Sequence, residues 1–72
     1  MMAPQLRFYA AERAGATAII NAMDSRIVGW LERDGEFLRA RRGRWRSLPA
    51  ETISTVITLV AAHEDALAAD AA

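Results

Sequence analysis

Cysteine and lysine are both missing from the chain, and histidine occurs once, at His63. Without cysteine there is no disulfide, no thiolate nucleophile and no sulfur ligand for a metal. A lone histidine supplies too few donors for a metal site. No serine or threonine stands in a nucleophile-elbow motif, and Gly15, Gly29, Gly35 and Gly43 are dispersed rather than gathered into a phosphate loop. These absences argue against an enzyme and imply no catalytic residue, no metal and no cofactor. No run approaches the roughly 18 apolar residues of a membrane span. Residues 1–5 lack both a basic stretch and an apolar stretch, so the expected location is cytoplasmic, with no membrane partner.

What is present is enough to fold. Seventy-two residues permit one small domain. Its 53% apolar content with 25% charged residues is incompatible with a disordered chain. All nine basic residues are arginine and alanine is abundant, a composition that points to a GC-rich bacterium or its phage. The formal net charge of zero conceals a segregation. Residues 39–46 hold five arginines and no acid, whereas residues 49–72 hold Glu51, Glu64, Asp65 and Asp70 and no arginine.

Turn residues divide the first two-thirds into short strands. Asp34-Gly35 lies between two apolar-rich runs, and such a pair suits the two positive-φ positions of a type I′ hairpin turn. Arg42-Gly43, Asp24-Ser25 and Ala14-Gly15 are the other turn candidates, and strands are expected near Gln5 to Glu12 and Thr17 to Met23. From Pro49 the period lengthens: Ile53, Val56, Ile57, Val60, Glu64 and Leu67 recur at helical spacing, with Glu64 alone interrupting the apolar stripe. Pro49 suits a first helical turn with Ser47 or Leu48 near the cap. The expected fold is α+β. An antiparallel meander of four or five strands over about 5–48 precedes one amphipathic helix over about 49–68, packed on one sheet face, and residues 69–72 fray.

Two-residue loops at Asp34-Gly35 and Arg42-Gly43 would set Trp30 against Arg39 and Ala40 against Trp45. Alternation then gives the helix-facing side Ile27, Gly29, Leu31, Leu38, Ala40 and Trp45, joined by Ile20 and Ala22. The other side receives Val28, Trp30, Glu32, Phe37, Arg39, Arg41, Arg44 and Arg46, with Ile19. The candidate binding residues are therefore Trp30, Phe37, Arg39, Arg41, Arg44 and Arg46. Guanidinium groups offer planar forks to anions and stack on aromatic rings, so this set suits a docking surface. The bland reading is a solvated face whose arginine stems cover the two rings. His63, Glu64 and Asp65 read as a solvated helix surface.

A protein or nucleoprotein complex is the first expected partner, because interfaces are rich in arginine and aromatics. In size, in lack of cysteine and in lack of catalytic groups the chain is similar to the small inhibitors that phages and mobile elements direct at host defence complexes, such as anti-CRISPR proteins. That likeness is one of kind and carries no motif; it implies an inhibitor of a larger assembly. Direct nucleic-acid binding by the sheet is the alternative, opposed by the zero net charge. A homodimer is compatible with either, through an exposed patch of Ile19, Val28, Trp30 and Phe37 or through head-to-tail contact of basic hairpin with acidic helix.

Overall fold

The computed structural model describes residues 7–71; the part of the first expected strand before Arg7 lies outside them, as does Ala72. Five strands form one antiparallel sheet in sequence order: β1 (Phe8–Arg13), β2 (Ala16–Asn21), β3 (Ile27–Asp34), β4 (Phe37–Arg42) and β5 (Trp45–Arg46). A single helix, α1 (Ile53–Ala71), follows. Its Val56, Val60 and Ala61 pack on Phe8, Ile19, Val28 and Ala40 of the sheet, with Leu31, Leu38, Trp45, Ile57 and Leu59 at the margin. The expected α+β architecture, with a meander and one helix on one face, is the one observed.

The hairpin turns differ from expectation in an instructive way. β3 and β4 close at Asp34↔Phe37 and β4 and β5 at Arg42↔Trp45, so the loops are Gly35-Glu36 and Gly43-Arg44. In each, glycine alone has positive φ and stands first, which is the requirement of a type II′ turn. The type I′ geometry occurs instead at Ala14-Gly15, where φ is 53° and 82°. Both loops lie one residue later than expected, so the pairing shifts by two: Trp30 meets Arg41, and Trp45 meets Arg42. A shift of two keeps every side chain on its face. Trp45 accordingly turns toward the helix, as expected.

At β2 and β3 the faces do change. Ile19 pairs with Gly29 but Ile20 with Ile27, a bulge that leaves Val28 as the extra residue. Val28 and Ile19 enter the core, while Ile20 and Ile27 go to the other side and Ala22 falls in the loop after β2. This reverses their expected placement. The five-residue connection between Asn21 and Ile27 has no fixed parity. It is instead held by side chains, with Asn21 Oδ1 accepting from Met23 N–H and Asp24 Oδ1 from Arg26 N–H.

The helix also starts later than expected. After β5 the chain keeps to the edge of β4: Ser47 N–H donates to Ala40 C=O, Ala40 N–H donates to Ser47 Oγ, and Ala50 exchanges both backbone bonds with Leu38. Pro49 therefore lies in this edge segment, where a missing N–H is tolerated, and not in the first helical turn. Thr52 is the cap, its Oγ1 accepting from Thr55 N–H at 3.1 Å. At the other end the helix continues through 69–71 rather than fraying after Ala68. No helix among the described residues is long and apolar enough to cross a membrane.

Candidate binding face

Because the helix covers one side of the sheet only, the other side is built from the alternate residues of every strand. Ala11, Ala18, Trp30, Arg41 and Arg46 pair successively across it and form one continuous row from β1 to β5. Tyr9, Ile20 and Ile27 form a second row. Ala18 and Ile20 are fully buried although they lie on the side away from the helix; Tyr9, Ile27 and Phe37 remain about two-fifths exposed and Trp30 is half-buried. This open face is a small aromatic and aliphatic patch bordered by charge.

Five of the six residues expected on it are there: Trp30, Phe37, Arg39, Arg41 and Arg46. Arg44 is not. It occupies the second position of the β4–β5 turn, a consequence of the loop lying one residue later. The arginines are not free cations, either. Glu32 accepts from Arg41 Nε at 2.8 Å and has its other oxygen 3.6 Å from Arg46 Nε, while Asp34 holds Arg39 at 2.9 Å. Glu32, Arg33, Asp34, Arg39 and Arg46 line a shallow charged depression. Sequence reasoning put Glu32 on this face but did not pair it. The signal was available, since Glu32 stands two residues from Trp30 and so shares its face with the arginines of β4, directly opposite Arg39 and diagonal to Arg41. Tyr9 and Ile27 were missed because the alternation of β1 was not extended to this side and the bulge in β3 was not foreseen.

On the helix side three consecutive residues, His63, Glu64 and Asp65, each meet a side chain at the sheet. Glu64, the interruption in the apolar stripe, pairs with Arg42 of β4. His63 stacks on Trp45 with ring centroids 3.9 Å apart and planes 9° from parallel. Asp65 pairs with Arg7 at 2.8 Å. Of the expected solvated surface at 63–65, Asp65 is exposed as expected, whereas His63 and Glu64 are half-buried and form a clasp that ties the helix to β4 and β5. The basic hairpin and the acidic helix meet within one chain at Arg42 and Glu64. The expected dimer patch also loses two of its four anchors, because Ile19 and Val28 are core residues. Among the described residues no three metal-ligating side chains gather. Compared with family models, curated proteins and solved structures, the chain matches none.

Proposed function

We propose that this chain is a non-catalytic binding module that engages a larger protein or nucleoprotein assembly through its open sheet face, in the manner of a small inhibitor. The observation that carries the reading is the row Trp30, Arg41, Arg46 with Glu32 bridging the two arginines. A half-buried tryptophan flanked on one side by preformed ion pairs resembles the anchor and rim of a protein interface, where an aromatic fills a pocket and neighbouring charges set orientation. Glu32 and Asp34 also pre-order the guanidinium groups, which lowers the entropy lost on docking.

The same pairs weigh against nucleic acid as the direct partner. A phosphate gains most from cations it can neutralise, and here each must displace a carboxylate from Arg39, Arg41 or Arg46. A protein surface bearing both signs exchanges ion pairs instead. The test is affinity capture from the native host, with and without nuclease, using wild type and the Arg39→Glu, Arg46→Glu double variant. The expected result is a nuclease-resistant protein partner, identified by mass spectrometry, that the double variant loses. Capture of nucleic acid alone, or a partner retained in full by the variant, would overturn the reading.

A further inference from the structure

The two edges of the sheet are protected unequally. β5 is two residues long and continues into a segment carrying Pro49, a short edge of the kind that resists pairing. β1 has six residues, no proline and no bulge. Ala22 N–H donates to Arg7 C=O, and from there the alternation of β1 turns the odd-numbered backbone groups toward β2 and the even-numbered ones outward. Phe8, at 3% exposure, is covered at the end where Asp65 of the helix reaches Arg7. Ala10 and Glu12 are accessible and present their N–H and C=O groups at the rim.

We propose that this half of β1 is a self-association edge, where a second copy of the chain pairs antiparallel about a two-fold axis at Ala11. A two-fold axis normal to the sheet keeps both helices on one side, so paired residues must share a face. Of the registers that satisfy this, the two centred on the middle of the strand pair most of it. One sets Ala10 opposite Ala10, requires the covered backbone of Phe8 and brings Arg13 against the partner's Arg7. The other sets Ala11 opposite Ala11. It uses only Ala10 and Glu12 for four backbone hydrogen bonds and brings Tyr9 against the partner's Arg13, twice, on the open face. Tyr9 and Arg13 then meet as a non-hydrogen-bonded pair, the closer kind, where a guanidinium stacks on a phenol ring. Ala11 is small enough for close approach at the axis. Arg13 now donates to its neighbour Glu12 C=O at 2.8 Å, and that carbonyl has a second lone pair for the incoming amide.

The resulting ten-stranded sheet joins two open faces into one. The seam is narrow, well under the roughly 1,000 Å² of a persistent interface, so association is weak and concentration-dependent. The proposal does not depend on the function inferred above. Sedimentation equilibrium from about 10 μM to about 1 mM tests it, with hydrogen exchange at both ends of that range. The expected result is a mass rising from 7.9 kDa toward twice that value, with Ala10 and Glu12 amides gaining protection on concentration. Ala10→Pro deletes an N–H that points outward and is expected to remain monomeric. Ala11→Lys sets two ammonium groups opposite each other and is expected to weaken the dimer at least about tenfold while leaving the circular dichroism and melting of the monomer unchanged. A monomer throughout, a dimer indifferent to Ala11→Lys, or concentration-dependent protection elsewhere would overturn it.

Discussion

At the scale of single residues, the backbone is demanding at Ala14, as at Ser25, and at Gly29. Ala14 adopts φ 53°, a left-handed conformation that costs an L-residue with a Cβ about 1–2 kcal/mol and that asparagine accepts more readily. Ala14→Asn is expected to raise stability by about 0.5–1 kcal/mol, read as a higher urea midpoint at unchanged slope. Gly29 has ordinary φ but no room: a Cβ there would lie 2.9 Å from the carbonyl oxygen of Arg41. The neighbour is strand backbone and cannot rotate away. Gly29→Ala is therefore expected to cost about 1–3 kcal/mol in the same measurement. Of these two sites, only the Ala14-Gly15 turn was legible in the sequence; the crowding at Gly29 depends on where β4 passes.

At the scale of elements, the helix is joined to the sheet by an apolar stripe and by the clasp around Arg42, Trp45, His63 and Glu64. Glu64 is mostly buried and its partner Arg42 is about one-third exposed, so removing either leaves a poorly hydrated charge. Arg42→Ala and Glu64→Gln are each expected to destabilise by about 1–3 kcal/mol. The double variant should cost less than the two combined, and thermal unfolding of all four proteins checks this coupling. Trp45→Ala removes a half-buried ring stacked on His63, and about 2–3 kcal/mol is expected, below the about 3–5 of a fully buried tryptophan. The clasp also explains an oddity of the sequence. A carboxylate in the middle of an apolar helical stripe is the partner of an arginine that alternation places on the same side of the sheet.

At the scale of the whole molecule, the segregation of charge along the chain is largely resolved on folding. Arg42 meets Glu64 and Arg7 meets Asp65 between helix and sheet, while Glu32 and Asp34 restrain Arg39, Arg41 and Arg46 on the open face. A surface so paired predicts shallow salt dependence. Oligonucleotide titration at low salt is expected to give only weak, non-specific binding, whereas the protein partner should be lost with Arg39→Glu, Arg46→Glu while the circular dichroism stays that of wild type, although like charges beside Glu32 and Asp34 lower the melting temperature modestly. Steep, tight oligonucleotide binding that the double variant abolishes would transfer the face to nucleic acid.

The class of fold and most of the membership of the open sheet face were legible in the sequence. Glycine-bearing turns and two-residue alternation define a meander, and the change of period after residue 50 defines the helix, because both signals are local. They also placed Trp30, Phe37, Arg39, Arg41 and Arg46 together, since a two-residue error in hairpin register leaves the faces intact. Tertiary structure alone decided the rest. The pairing of Ile19 with Gly29 and the bulge at Val28 put Ile19 and Val28 in the core in place of Ile20 and Ile27, the edge segment through Ala50 delays the helix to Ile53, and Glu32, Asp34 and Glu64 select their arginines. Those outcomes depend on which atoms meet across the sheet, and no periodicity along one strand carries that information.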